Sequence, residues 1–188
     1  QASSRRRICG PQTKAISTFA GTGQAGFAGD GGDALFAQFN ETYHITFDTT
    51  GKNLYVVDLK NQRIRRIDMA TKRISTVAGN GRKGTPVEGT LALNSPFNDP
   101  RALIVDNLGQ LYILQRGGHD LWKVDTEGKL TRLAGTGKKG YSGDGGQARL
   151  ALPRQKEAPV AHAQVDVGAR LRPRRDHAEL RLRDGHPD

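Results

Sequence analysis

Short apolar runs, separated by turns rich in Gly, Asn, Asp and Thr, dominate the first 150 residues of this chain. Apolar and polar residues alternate within most of these runs, as in half-buried strands. The pattern predicts four strands in each of two successive segments. The predicted strands are His44–Asp48, Asn53–Asp58, Gln62–Asp68 and Lys72–Val77, followed by Arg101–Asp106, Gln110–Gln115, His119–Asp125 and Lys129–Leu133.

The same phrases recur along the chain at a nearly constant interval. Three related pentapeptides end at Gly23, Gly81 and Gly137, which lie 58 and 56 residues apart. A Gly-Asp-Gly-Gly element at Gly29–Gly32 also returns at Gly143–Gly146. A fixed period of this length is typical of repeat architectures, in which each unit buries its apolar face against its neighbours.

Four short antiparallel strands repeated at this spacing predict an all-β protein built from β-propeller blades. We expect a propeller fragment over residues 1–152, with part of a blade at 5–20 and full blades at 43–78 and 101–134. Glycine-rich connectors separate the blades. The first connector ends in a short helical pattern, Asp33–Phe39, which Asp33 is placed to cap.

The repeat pattern fails after Leu152, because arginine and proline replace apolar residues at positions expected inside strands. We therefore expect residues 153–188 to be a degraded repeat or a disordered, irregular tail. Either a reading-frame error in the gene or sequence decay would explain the change, and the sequence leaves both open.

Composition and net charge restrict the possible fold classes and partners but do not indicate a catalytic or binding site. Of the residues, 35% are hydrophobic and 24 are glycines, which suits strands joined by tight turns better than a helical bundle. The net charge of +10 favours anionic partners without selecting among them. No apolar run is long enough to predict a transmembrane segment. Cys9, the single cysteine, has no partner in the chain for a disulfide.

The repeats resemble NHL repeats, a blade-forming family of β-propellers. The resemblance rests on Phe39–Asn40, Ile45–Asp48, Gly51–Asp58 and Asn61–Asp68, and on connectors of the longer type with Ala-Gly-Thr-Gly and Gly-Asp-Gly-Gly elements. It covers about residues 5–152. The second copy departs from it at Arg116–Lys123 and at Val87–Thr90.

This resemblance implies a ring of about six blades, so we expect the remaining blades to come from a longer chain. It slightly favours a secreted or periplasmic location. It also implies three functional classes: binding or scaffold modules, metal-dependent enzymes such as lyases and lactonases, and RNA-binding propellers.

Paired basic residues occupy equivalent positions in two connectors. Arg82–Lys83 and Lys138–Lys139 stand where the first connector has uncharged residues, and repeat equivalence places both pairs on the same side of the propeller. They are candidate binding residues for an anionic ligand, with solvated loop charge as the alternative. Nucleic-acid recognition is a weaker reading, because no aromatic residues interleave with the charges.

The remaining candidates are single residues. Asp30 and Asp144 are candidate ligands for a divalent cation such as calcium, although bracing of a turn is the simpler role. His44 begins an inner strand, where propellers often expose side chains to the central channel, and is a further candidate binding residue. Asn40–Glu41 and Asn98–Asp99 precede the inner strands at the expected channel mouth. There they either bind one divalent ion together with residues of other blades or cap local turns.

Polar residues in the third strand of the first full blade are assigned to the surface. We expect Arg63, Arg65 and Arg66 to form polar blade surface, with Asp58 and Asp68 as neighbours.

The sequence as a whole favours a non-catalytic binding or scaffold module whose ligand is a protein, a glycan or another anionic molecule. No nucleophile–base arrangement is recognisable, and no cofactor is required. A metal-dependent hydrolase or lyase, which would use a divalent cation, is the first alternative. RNA binding through basic loops is the second.

Overall fold

The computed structural model describes residues 16–152, which form two four-stranded antiparallel sheets in the order in which their strands occur in the chain. Blade 1 contains β1 (Thr42–Phe47), β2 (Asn53–Asp58), β3 (Arg63–Asp68) and β4 (Ile74–Ala78). Blade 2 contains β5 (Pro100–Val105), β6 (Leu111–Gln115), β7 (Asp120–Val124) and β8 (Leu130–Ala134). The predicted all-β fold of four-stranded antiparallel blades is thereby confirmed. The tail predicted at 153–188, and most of the partial blade predicted at 5–20, lie outside the described residues.

Glycine-rich connectors precede and follow each blade. Connector 1 (residues 20–39), connector 2 (residues 79–97) and connector 3 (residues 135–152) each contain one short 3-10 turn, at Ala34–Phe36, Ala92–Asn94 and Ala148–Leu150. The carboxylate of Asp33 accepts a hydrogen bond from the Leu35 amide at 2.9 Å, so the predicted cap is confirmed.

The two blades share one apolar core. Tyr55, Val57 and Ile64 of blade 1 pack with Leu103, Ile113 and Trp122 of blade 2, among other residues, and connector 2 inserts Ala92 and Phe97 between them. The inner strands β1 and β5 lie against each other. We call the side of blade 1 that carries Val57 its back face. The back face of blade 2 is the side that carries Leu114, the equivalent of Val57, and the opposite side of each sheet is its front face. The core therefore joins the back face of blade 1 to the front face of blade 2.

A second, smaller core lies on the front face of blade 1. Leu54, Val56, Ile67 and Ile74 pack there against connector 1, which supplies Ala34 and Ala37. Connector 1 thus occupies the place on blade 1 that connector 2 occupies on blade 2.

Equivalent residues of the two blades differ sharply in exposure. Ile45 pairs with Val56 across β1 and β2, and Leu103 pairs with Ile113 in the same register of β5 and β6. Ile45 is 62% exposed, whereas Leu103 is 1% exposed because blade 1 covers it. The reverse holds on the back faces, where Val57 is fully buried and its equivalent Leu114 is 46% exposed. The described pair of blades therefore has, at each side, one apolar face that is open at this position.

Because Leu103 is buried and the equivalent Ile45 is exposed, we expect substitutions at these two positions to lower stability by different amounts. We expect Leu103→Ala to lower the free energy of unfolding by about 2–5 kcal/mol, because it removes buried methyl groups and leaves a cavity. The matched variant Ile45→Ala should cost only about 0.5 kcal/mol, since its side chain is already largely solvated. Urea denaturation of both variants checks this. Equal losses of unfolding free energy in the two variants would contradict the difference in burial between Leu103 and Ile45.

Candidate functional site

One end of both blades forms a continuous surface that we call the rim. At the rim, strands β1, β3, β5 and β7 begin and strands β2, β4, β6 and β8 end. The loop between β2 and β3 (residues 59–62) and the loop between β6 and β7 (residues 116–119) lie on it. Antiparallel order places the other turns at the opposite end, which we call the turn end.

Two glycines hold connectors 2 and 3 against the rim. Gly79 and Gly135 have φ angles of 95° and 82°, which disfavour other residues. A Cβ atom at Gly79 would lie 2.1 Å from the Gln62 carbonyl oxygen, and one at Gly135 would lie 2.2 Å from that of His119. Any side chain at these positions would push the connector away from the rim loops.

Both basic pairs follow these glycines closely and lie at the rim. Arg82 and Lys83 are exposed, as are Lys138 and Lys139. The Arg82 carbonyl oxygen accepts from the Phe97 amide, which fixes this pair beside the start of β5. The predicted binding residues of the two connectors thus occupy equivalent places, and their role in binding stays a prediction.

Charge is unevenly divided between the two ends of the blades. Among the described residues of the rim, exposed cationic side chains outnumber acidic ones. The cations are Lys60, Arg82, Lys83, Arg116, Lys138 and Lys139, and the acids are Glu41 and the partly buried Asp99. At the turn end, acidic residues balance the basic ones: Asp48, Asp68, Asp106, Asp125 and Glu127 accompany Lys52, Lys72, Arg73 and Lys129.

The aspartates at the turn end brace turns. The Asp48 carboxylate accepts from the amides of Thr50 and Lys52, at 3.1 and 3.0 Å. Asp68, Asp106 and Asp125 accept from backbone amides of their own turns in the same manner. Hydrogen bonds from the Thr71 amide and hydroxyl lower the pKa of Asp68, which keeps this carboxylate ionised. The negative charge of this end is therefore built into the turns.

Arg101 and Tyr43 form a contact between the blades at the rim. They occupy the same position in β5 and β1, one residue after the start of each strand. The Arg101 guanidinium lies 4.2 Å from the centre of the Tyr43 ring and pairs with Asp99 at 3.3 Å. The Asp99 amide donates to the Gln62 side-chain oxygen of blade 1 at 2.9 Å. Ring and carboxylate together fix the guanidinium at the junction of the blades.

The residues that precede the inner strands have an unusual backbone. Glu41 and Asp99 occupy equivalent positions and both have a φ of 58°, in the left-handed region. The Asn40 amide donates to Asp58 at 2.8 Å, and the Asn98 amide donates to Gln115. The side chains of Asp58 and Gln115, at the ends of their strands, thus accept from the main chain that precedes β1 and β5. Turn capping by the Asn and acidic side chains themselves stays a prediction. The Glu41 carboxylate meets Lys60 at 3.4 Å, where both side chains are solvated.

The surface assignment of the arginines in β3 is wrong for one of them. Arg66 is exposed and Arg63 is partly buried, but Arg65 is fully buried, as is its neighbour Asp58. Arg65 lies 3.3 Å from the Asp58 carboxylate and 2.8 Å from that of Asp30. Strand alternation carries the missed signal, because residues 65 and 67 share one face and Ile67 is a core residue.

Further contacts complete the environment of Arg65. Its guanidinium donates to the carbonyl oxygens of Ala28 and Gln38, at 3.1 and 3.3 Å. The ring of Phe27 lies 4.9 Å away. A buried guanidinium needs such partners, because each N–H that leaves water unpaired is costly.

Asp30 and Asp144 occupy equivalent connector positions with different partners. Besides Arg65, Asp30 accepts from the Thr76 hydroxyl at 2.6 Å, so it ties connector 1 to β3 and β4. Asp144 accepts from the Tyr141 hydroxyl. Within residues 16–152, no three His, Cys, Asp or Glu side chains are grouped so as to hold a metal ion. Metal binding by Asp30 or Asp144 stays a prediction.

His44 is the remaining candidate residue. It lies on the inner strand β1, next to Tyr43, and its side chain is partly buried. The equivalent residue in β5 is Ala102, so the described blades do not repeat the imidazole. Its proposed exposure to a channel stays a prediction.

Between residues 16 and 152, the chain has no helix of sufficient length and apolar character to span a bilayer.

Comparison with known proteins places these repeats in context. No protein-family model matches the chain. It is 31% identical over 103 residues to NHL repeat-containing protein 2 of Gallus gallus, a match that covers 54% of this chain and 14% of that protein. It is 29% identical over 133 residues to Protein SUPPRESSOR OF QUENCHING 1, chloroplastic, of Arabidopsis thaliana, which covers 68% of this chain and 12% of the relative. The chain spans only 12–14% of the length of these two relatives.

A solved structure supports the fold. A Bacteroides thetaiotaomicron protein of unknown function aligns with a TM-score of 0.52 and 22% sequence identity, over 60% of this chain and 28% of its own. At this identity the likeness concerns the arrangement of the strands and carries no information on activity.

Removing the buried cation of blade 1, Arg65, should strongly lower the stability of the folded chain. We expect Arg65→Met to lower the free energy of unfolding by about 3–5 kcal/mol, because the buried Asp58 carboxylate loses its counter-charge. The control Arg66→Met, at the exposed neighbouring position, should change it by less than about 0.5 kcal/mol. Adding Asp58→Leu to Arg65→Met should recover part of the loss. Thermal or urea unfolding measures all three, and equal effects at positions 65 and 66 would contradict the buried pair.

Proposed function

The two described blades are NHL repeats of the β-propeller type, and on this premise we propose that the chain is part of a non-catalytic binding module whose rim holds an anionic ligand. The observation that carries the proposal is the uneven charge of the two ends. Cations at the rim project from loops and connectors, whereas the turn end keeps acidic and basic groups in balance.

Two features of the rim support the binding of an acidic polymer, such as a sulfated or uronic acid-rich glycan. The Arg82–Lys83 and Lys138–Lys139 pairs repeat from one connector to the next, which suits a ligand with regularly spaced charges. Arg101 is preset at the junction of the blades by its contacts with Tyr43 and Asp99. A guanidinium held in this way loses little conformational entropy when it binds a carboxylate or sulfate.

We further propose that neighbouring blades of a longer chain cover the two open apolar faces. A groove of about 650 Å³ lies beside blade 1, lined by Phe39, Ile45, Leu54 and Val56 among other residues. Leu114 on the back face of blade 2 stands in the place of the fully buried Val57. Blade 1 buries the front face of blade 2, so another blade would bury the front face of blade 1 by the same contacts. Adding blades would extend the rim and repeat its charges around the ring.

Binding of a sulfated glycan tests the proposed function. Heparin serves as the probe, in titration calorimetry at about 0.1 M salt. Replacing Arg82, Lys83, Lys138 and Lys139 together with alanine should weaken binding roughly tenfold or more, because four exposed charge contacts are lost. Binding to the unchanged protein should also weaken as salt rises, since mobile ions screen these contacts.

The turn end provides a matched control. Replacing Lys52, Lys72, Arg73 and Lys129 with alanine removes the same formal charge from the opposite end. Heparin affinity should then change by less than about threefold, as expected from a change in net charge alone. Equal loss in both variants would show that net charge, and not the rim, determines binding. Absence of any measurable binding would overturn the proposal.

A further inference from the structure

The two blades close the rim end of their cores with different polar groups. In blade 1 the buried Asp58 accepts from the Asn40 amide at 2.8 Å, from Asn61 at 2.9 Å and from Arg65 at 3.3 Å. In blade 2 Gln115 stands at the Asp58 position, and its side-chain amide donates to Asp120 at 2.9 Å. The buried carboxylate has thus moved from the end of the second strand to the start of the third.

The donors that accompany Asp58 are missing beside Asp120. Trp122 occupies the strand position of Arg65, so the blade has no buried guanidinium there. Gly118 occupies the loop position of Asn61, and a Cβ atom on it would lie 2.6 Å from Oδ1 of Asp120. An asparagine at this position would require the Asp120 carboxylate to shift, and the glycine that is present supplies no side-chain donor.

Asp120 is left as a buried acid with few partners. Its side chain is 2% exposed, and only Gln115 donates to it with normal geometry. Neither Oδ2 of Asp120 nor Nε1 of Trp122 forms a hydrogen bond of normal geometry within the described residues. The Trp122 N–H nevertheless lies near enough to the carboxylate to oppose the rise in the pKa of Asp120. His119, which precedes it in the chain, and Arg132 of β8 are the charged or titratable groups that face it. Neither forms an ion pair with Asp120 in the part of the chain that the structure describes.

We propose that Asp120 is a proton-binding group that couples the stability of blade 2 to pH. The Asp120 carboxylate is buried away from water, and no opposite charge among the described residues contacts it. Uptake of a proton therefore removes an unfavourable buried charge. The protonated oxygen also becomes a donor in a region with a second unpaired acceptor, Oδ1 of Asn98, whose own amide is held by Gln115.

Burial raises the pKa of Asp58 as well, but hydrogen bonds from Asn61 and Asn40 and the charge of Arg65 oppose that rise. The two acids differ in their partners: protonation of Asp58 would weaken its ion pair with Arg65, whereas protonation of Asp120 breaks no ion pair among the described residues.

The direction of the pH dependence follows from burial. Desolvation raises the pKa of Asp120 above the ordinary value of 3.8, and Trp122, Gln115, Arg132 and His119 oppose the rise only in part. The folded chain then binds this proton more tightly than the unfolded chain. The contribution of Asp120 to stability is full below pH 3.8 and is lost as pH rises through its higher pKa in the folded state.

Asp120→Asn tests this coupling, because it gives the neutral form at every pH. The variant should melt higher than the unchanged protein at pH 7, by about 3 °C or more, and the difference should shrink towards pH 4. Comparing the two melting curves at each pH isolates Asp120 from the other carboxylates. A variant that melts lower by the same amount at pH 4 and pH 7 would overturn the proposal.

Asp58→Asn is the matched control, since it makes the same change in the acid of blade 1. It should lower the melting temperature at pH 7, because Arg65 loses the fully buried one of its two carboxylate partners and keeps only Asp30. If Asp120→Asn does not fold, the carboxyl carbon resonance of Asp120 in the unchanged protein provides the second measurement. Titration of that resonance clearly above pH 3.8 would support the proposal, and titration at or below this value would overturn it.

Discussion

The fold depends on the mutual burial of blade faces. Each sheet is apolar on both sides, so a single blade can shield neither side from water. Blade 1 and blade 2 satisfy this requirement for one pair of faces, and connector 2 fills the gap at their periphery with Ala92 and Phe97. The contrast between Leu103 and Ile45, at one repeat position, shows that cover from a neighbour and not the residue type decides which side chain is buried. Ile45 and Leu114 lack such cover within the described residues and remain exposed.

The same stacking gives the rim its character. Antiparallel order brings every second loop to one end, and the repeat brings equivalent loops side by side. Acidic residues at the turn end are fixed as turn acceptors, as Asp48 and Asp125 show. At the rim the side-chain acceptors of backbone amides, Asp58 and Gln115, are buried, and the basic pairs of connectors 2 and 3 lie exposed beside them. Arg101 adds a cation where the blades meet. The two ends of the described blades therefore differ in the charge that they expose.

Blade 1 and blade 2 solve one packing problem in two ways. A polar group must close the rim end of each core, because strand ends leave backbone amides to be paired. Blade 1 uses an ion pair between Asp58 and Arg65, which Asp30 extends to connector 1. Blade 2 uses a neutral amide, Gln115, and leaves Asp120 without a counter-charge. The repeat therefore preserves the backbone while its electrostatics differ from blade to blade.

The sequence determined the strands, their grouping into blades and the class of fold, because these follow from local alternation and from a period that is visible in the residues themselves. It also placed both basic pairs on one side, since equivalent repeat positions have equivalent surroundings. Strand alternation predicts that Arg65 is buried, whereas its charge predicts that it is exposed. Its partners Asp58 and Asp30 make the burial energetically tolerable. Tertiary structure alone decided the Tyr43–Arg101 contact, because it depends on which side chains from two different blades meet, and no local pattern encodes such meetings. The replacements around Asp120 can be read from the repeat, but only the structure shows that Asp120 is buried.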